Sequence, residues 1–538
     1  MMRQTRWATR LVALLVVGGS AQMLGCFPFD FSEEATGTGG SGGTGGYDPP
    51  ACPGDPVADP ALVRDDCGTF VSASAPLGGN GTKASPFSSL SEAAAQRAKR
   101  IYACAEDYAA TETLRFTDGV EIYAGFTDCG AAGTWTWAES SRATLRGPAD
   151  EVALTLDQGA NLLRNIDVIA ADAITDGGSS IALVLTGGTL TAEGVDLRAG
   201  AAMAGADGAT LMADTTLDGL PGINGTAACM GDLVNGNLGG AAVSKMCPGD
   251  PAETSIGGKG GDGGTYQTNP VTVLPGGNGD PGEPDLGPGG AGTGEPATGN
   301  TWNCGVGANL GGANAGASGT EGESGAGAPE SDFGALSATG FIGASGQPGL
   351  RGTVGQGGGG GGGARGGLIC QGGTTYGLGA SAGSGGSGGC GGAGGNLGQG
   401  GGASIALVSL DAESVTLTNV RLVAGDGGAG GRGGNGQPGG NGGSPGQGGL
   451  GAGGSKAGCS GGFGGAGGNG GVGGGGRGGH SIGIVFTGAA PTGGEITVGM
   501  AGLGGDAGPN HPSPATGAGA DGVAADCWDF AANTACGG

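Results

Sequence analysis

Asp167 and Asp196 stand in matching surroundings, Ile166-Asp167-Val168 and Val195-Asp196-Leu197. Carboxylates that recur in this way on β-prone segments could stack side by side on one face. Spaced about 5 to 9.5 Å apart they would suit glycoside hydrolysis, and clustered around calcium they would suit elimination. The third equivalent position holds Arg421, not an acid, and outward polar residues are expected on a solvent-facing sheet in any case. A carbohydrate-active enzyme using Asp167 and Asp196 is therefore the alternative reading; the leading one has no catalytic residues.

Other chemical motifs follow from composition alone. Gly379-Ala380-Ser381-Ala382-Gly383 and Gly385-Gly386-Ser387-Gly388-Gly389 match Gly-x-Ser-x-Gly, but a nucleophile elbow needs a strand before it and a helix after it, and these lie inside a glycine tract. Gly257 to Asp262 matches the start of a calcium-binding nonapeptide, yet Gly264 falls where that motif needs a large apolar residue. Asp262 then reads as a solvated aspartate. There is no Cys-x-x-Cys, and His480 and His511 are the only histidines, so neither a zinc site nor any cofactor is expected.

The elements around these residues are unusual. Glycine recurs at every third position from Gly427 to Gly442 and from Gly461 to Gly476, which is the period of polyproline II and of neither helix nor strand. Such tracts would pack backbone to backbone if ordered; the competing expectation is a disordered linker, since ordering glycine is costly. Glycine-rich stretches, residues 201–403 and 426–480, separate the copies of a threefold repeat: Ser180-Ile181-Ala182-Leu183-Val184, Ser404-Ile405-Ala406-Leu407-Val408 and Ser481-Ile482-Gly483-Ile484-Val485. If the copies stack, Leu183, Leu407 and Ile484 form one interior column, and the unequal stretches between them are expelled as side excursions. Ser89 and Glu92 form a capping-box pattern that predicts a helix over 93–99, with short strands after it at 100–104, 120–126, 143–146, 152–156 and 162–170.

Glycine makes up 142 of 538 residues and aromatics 4%, which leaves no room for a large globular enzyme core. The formal charge of -26 repels phosphate backbones, so no nucleic-acid partner is expected. Arg3, Arg6 and Arg10 precede a short apolar run that ends at Leu24-Gly25-Cys26, too short to span a bilayer. Ordinary cleavage after Ala21 competes with lipidation of Cys26. In the second case twelve cysteines remain, namely Cys52, Cys67, Cys104, Cys129, Cys229, Cys247, Cys304, Cys370, Cys390, Cys459, Cys527 and Cys536. An even number in an exported chain suggests six disulfides. Local spacing favours Cys52–Cys67, Cys104–Cys129, Cys229–Cys247 and Cys527–Cys536.

Three resemblances give these features a context. Leu24-Gly25-Cys26 resembles the lipobox of bacterial lipoproteins, with Met23 where that family usually has Leu or Val. Phe27 is not the Asp associated with inner-membrane retention, so the resemblance implies a Gram-negative outer-membrane or cell-surface anchor. Gly81-Thr82, Ser85-Pro86-Phe87-Ser88-Ser89-Leu90, Ile101 to Ala105 and Val120 to Phe126 resemble the start of pectin-lyase-like right-handed parallel β-helices, and the glycine tracts are similar to those of PE-PGRS-type surface proteins. The fold expected is mostly β: a right-handed parallel β-helix with a short N-terminal capping helix, interrupted by long glycine-rich polyproline II excursions. Its parts are a signal peptide (1–25), a tether (26–50), cap and rungs (51–200), an insertion (201–403), a rung (404–425), an insertion (426–480), a rung (481–500) and a disulfide-closed tail (501–538). The function expected is a non-enzymatic structural or adhesive surface lipoprotein, held to the membrane by its lipid, with a surface glycan or protein receptor as partner.

Overall fold

A computed structural model describes residues 52–130, 132–230, 236–249, 253–268, 271–370 and 375–536, all within the second of two units, Gly46–Gly538. Cys26, the segment 1–25 and the tether lie outside the described residues. Ser89 and Glu92 form the capping box that their spacing predicts, with Ser89 Oγ accepting from the Glu92 N–H at 3.2 Å and Glu92 Oε2 accepting from the Ser89 N–H at 3.1 Å. The helix they start, Leu90–Ala95, begins directly after the cap and ends before the expected 93–99 span is complete. Arg97 takes φ +55° and turns the chain into the strand Arg100–Cys104.

From that strand onward the chain is mostly β, dominated by a 12-stranded and a seven-stranded sheet. Pairing in both is parallel except where Thr136–Trp137 and Thr534–Ala535 fold back on their neighbours. Strands Val152–Asp157, Ala160–Arg164 and Ile166–Ile169 are succeeded by Ser180–Thr186, Thr189–Glu193 and Asp196–Arg198, each parallel to its counterpart. The offset is 29 residues in all three ladders: Ile181 faces Val152, Thr189 faces Ala160 and Leu197 faces Val168. The chain thus visits three ladders in rotation.

Two of those ladders merge into the larger sheet through one strand. Ser414–Val423 pairs first with Thr189–Glu193 and then with Asp196–Arg198, bending at Asn419, φ +52°. Asn165 (φ +56°) and Gly194 (φ +61°) hold the same corner in the preceding turns, and both residue types tolerate the left-handed region. The single strand expected over 162–170 is for this reason two strands, broken at Asn165.

The repeat copies stack as their sequences predict. Ile181, Ile405 and Ile482 face one another, as do Leu183, Leu407 and Ile484. The leucine column lies in the main core, but the isoleucines do not share its face. They pack on the opposite side with Phe333 and Phe341, the first just before and the second within the hairpin of Ala335–Ser337 and Gly340–Ile342. Alternation slips because Ala182 and Ala406 also turn into the main core, and at the third copy a Cβ on Gly483 would meet Ile496 at 2.2 Å. Both faces are therefore buried at Val152–Asp157, Ser180–Thr186, Ser404–Ala412 and Ser481–Gly488, which accounts for their nearly unbroken apolar sequences.

The glycine-rich excursions leave and return between neighbouring turns, and the first serine of each copy fastens them there. Ser180 Oγ accepts from the Gly200 N–H at 2.8 Å. Ser404 Oγ donates to the Gly200 carbonyl and accepts from the Gly425 N–H, both at 2.7 Å. Ser481 Oγ donates to the Gly425 carbonyl at 2.7 Å and accepts from the Gly499 N–H at 2.9 Å. All three serines are buried. Ser404→Ala should leave two backbone groups unpaired and cost about 1–3 kcal/mol of stability, read as a lowered denaturation midpoint. An unchanged midpoint would show the serine ladder to be energetically idle.

Within the excursions, backbone hydrogen bonds recur at every third residue. Gly428, Gly431 and Gly434 donate to the carbonyls of Gly402, Gln399 and Asn396, and this antiparallel register continues to Gly449 and Ser381. Segment 461–479 runs antiparallel to 428–446, with Gly461 donating to Gly446 and Gly479 to Gly428. It also accepts from the parallel segment 386–401 and donates to the antiparallel segment 347–359. Spacing is so close that a Cβ on Gly467 would lie 2.0 Å from the Cys390 carbonyl oxygen, and one on Gly433 1.9 Å from that of Gly473. The same threefold register extends through 201–228, 311–328 and 500–522, where the sequence pattern is less strict.

Candidate functional site

Asp167 and Asp196 are brought together on the outer face of one ladder, where Val168 pairs with Leu197 and Asp196 with Arg421. The Asp196 N–H donates to Asp167 Oδ1 at 3.1 Å. Between the two carboxylates sits Arg142, whose Nη1 is 2.8 Å from Asp167 Oδ1 and 3.2 Å from Asp196 Oδ1. Arg198 adds a bond of 2.6 Å to Asp196 Oδ2. Partial burial raises the Asp196 pKa, but its bonds with Arg198 and Arg142 and their charges outweigh that and hold it below the usual carboxylate range. A general acid for glycoside cleavage needs the opposite shift. The arrangement is that of an ion-pair cluster on an outward-facing ladder.

The serines of the Gly-x-Ser-x-Gly matches are fully buried and serve the backbone. Ser381 Oγ accepts from the Thr226 N–H at 2.7 Å and donates to the Leu238 carbonyl at 2.8 Å. Ser387 Oγ accepts from the Leu220 N–H at 2.7 Å. Asp262 keeps a side chain that is 44% exposed, and its Oδ1 also accepts from the Gly239 N–H at 2.7 Å and from Lys259 Nζ at 2.9 Å. Among the described residues no group of three or more His, Cys, Asp or Glu side chains is placed to hold a metal ion.

All twelve cysteines among the described residues are paired. Cys52–Cys67, Cys104–Cys129 and Cys527–Cys536 close local loops as their spacing suggests. The expected Cys229–Cys247 link is corrected: Cys229 joins Cys370, Cys247 joins Cys390, and Cys304 joins Cys459. Sequence separations of 141, 143 and 155 arise because bundle packing, not chain proximity, brings these residues together.

Two buried polar sites were not legible as such in the sequence. His480 stacks on Phe333 with ring centroids 3.7 Å apart, and Trp528 stacks on Phe333 at 4.6 Å. His480 Nδ1 accepts from the Val523 N–H at 3.0 Å, which leaves Nε2–H to donate to the Phe333 carbonyl at 2.9 Å. Burial, reinforced by the Arg477 charge and only partly opposed by the Phe333 bond, pushes its pKa down to about 4. Elsewhere the buried carboxylate of Glu295 faces Lys456 Nζ at 3.2 Å and Arg365 Nε at 3.6 Å. Only the position of His480 directly before a repeat copy hinted at its role in joining excursion to sheet.

Comparison of the chain with family models, curated proteins and solved structures found no match.

Proposed function

We propose that the chain is a non-enzymatic structural or adhesive protein of the bacterial cell surface, a right-handed parallel β-helix that displays arrays of polyproline II segments. The observation that carries this reading is the threefold hydrogen-bond register of the glycine tracts. Hundreds of residues go into a backbone-packed projection with the 3.1 Å rise per residue of polyproline II. The rotation of the chain through three parallel ladders supports the β-helix, and the general hand of parallel crossovers supports its being right-handed. Six disulfides suit an oxidising compartment. Lipidated Cys26 would tie the protein to the outer membrane, and the partner would be a surface glycan or protein receptor.

A screen of residues 52–538 against glycans and intact cell surfaces tests this: binding without turnover is expected. Turnover of a polysaccharide that Asp196→Asn abolishes would replace the proposal with the carbohydrate-active alternative. In the same system Cys26→Ser should move the full chain out of the membrane fraction.

A further inference from the structure

The segment 500–523 shows what the bundle surface recognises. Gly427, Gly430 and Gly433 donate their N–H groups to the carbonyls of Met500, Leu503 and Asp506. In return Gly502, Gly505 and Gly508 donate to Gly479, Gly476 and Gly473. One groove over, Gly475 and Gly478 donate to Gly517 and Ala520, and Ala520 donates to Ala328. The chain's own tail thus fills two neighbouring grooves as extended strands with period-three hydrogen bonding.

The tail turns back at 509–516, and both grooves continue without it. In the first, the N–H groups of Gly436 and Gly442 and the carbonyls of Gly470, Gly467 and Gly464 carry on the rows that 500–508 uses, with no backbone partner among the described residues. In the second, the N–H groups of Phe463, Ala466 and Asn469 extend the row of Gly475 and Gly478 and likewise donate to no group among the described residues. Side chains stand in at a few points: Asn469 Oδ1 accepts from the Gly439 N–H at 3.1 Å, and Ser324 Oγ from the Val472 N–H at 3.3 Å. Other edges of the bundle are closed by carboxylates, as where Asp207 and Asp218 accept from the N–H groups of Arg432 and Asn441 at 2.7 Å. Nearest the tail, the open stretch widens into a cavity of about 520 Å³ bordered by Glu321, Asn435, Pro438, Asn469 and Pro512.

We propose that this open stretch of the two grooves is a docking site for an extended glycine-rich polypeptide strand, bound by continuing the period-three hydrogen-bond register of residues 500–523. The partner must carry glycine at every third residue, because the rows that 500–508 meets admit no Cβ: one on Gly505 would lie 1.9 Å from the Gly431 carbonyl oxygen. From Phe463 to Val472 the site would hold about nine residues, roughly 28 Å of polyproline II. This deepens the adhesive reading by naming a partner class, though the hydrogen-bond argument stands apart from it.

Titration of residues 52–538 with a fluorescent twelve-residue peptide of Gly-Gly-Thr repeats tests the site. Saturable binding is expected, with slowed amide exchange at Gly436, Gly442, Phe463 and Ala466. Ala466→Trp, which puts a bulky group on an exposed position in the groove, should weaken binding at least tenfold, whereas Leu77→Trp, on an exposed position outside the bundle, should leave it unchanged. No binding, binding indifferent to Ala466→Trp, or protection of the same amides by an oligosaccharide or by self-association in place of the peptide would each overturn the proposal. The glycan and cell-surface screen still decides the adhesive reading if the peptide fails to bind.

Discussion

Gly467→Val is expected to open the glycine bundle while leaving the parallel sheets folded. Its Cβ would fall 2.0 Å from the Cys390 carbonyl oxygen and 2.4 Å from the carbon behind it, both backbone atoms fixed by bonds to further segments. Cys390 itself donates to Leu217 and accepts from Gly440, so making room for one methyl displaces several segments together. Overpacking costs about 1–3 kcal/mol in an ordinary core and occasionally more, and a clash with fixed backbone belongs at the upper end. Hydrogen exchange should show amides of 381–402, 428–449 and 461–479 losing protection while Val152–Asp157 and Ser180–Thr186 keep theirs. Equal protection in variant and parent would mean that the tracts are not packed backbone to backbone, and rapid exchange in the parent would defeat the bundle altogether.

The second large effect is a loss of stability in mild acid that traces to His480. Its folded pKa of about 4 lies below the ordinary 6.5, so the unfolded chain takes up a proton before the folded one does. The contribution of the neutral ring is complete above about pH 6.5, declines as pH falls from there toward 4, and levels off below. The full span is on the order of 3 kcal/mol. His480→Gln should abolish this part of the pH dependence, so the stability gap between parent and variant should narrow or invert between pH 7 and 4.5. Parallel stability curves for the two proteins would show that the stacked ring is not the titrating group.

How much of this could be read from residue types depends on whether the cause was local. The capping box at Ser89 and Glu92, the stacking of the three repeat copies and the three short-range disulfides rest on neighbours in sequence, and each is where its pattern put it. The break at Asn165 was missed because one polar residue in an apolar run looks like ordinary alternation until its left-handed conformation is seen. The face swap of Ile181 relative to Leu183 was hidden because a sheet buried on both sides has no alternation to read. Cys229 with Cys370 depends on how segments more than a hundred residues apart share a lattice, and no local spacing encodes that. For the candidate site, the pairing of Asp167 with Asp196 was legible, whereas Arg142, which neutralises both, enters from the preceding turn.

The position of the long-range disulfides has a mechanical consequence. Both ends of each excursion are held at the sheets, and far from them the chain turns back near 450–458 and pairs antiparallel at Gly367 and Gly377. Cys304–Cys459 and Cys229–Cys370 lie beside those distal turns. A pull applied at the outer end would therefore be shared covalently among several segments before it reached any single one. It would then run along the segments toward the sheets, loading rows of period-three hydrogen bonds in shear, many at once, where peeling would break them one at a time. A projection made this way resists lengthwise tension with hardly any hydrophobic core, and its weak direction is sideways.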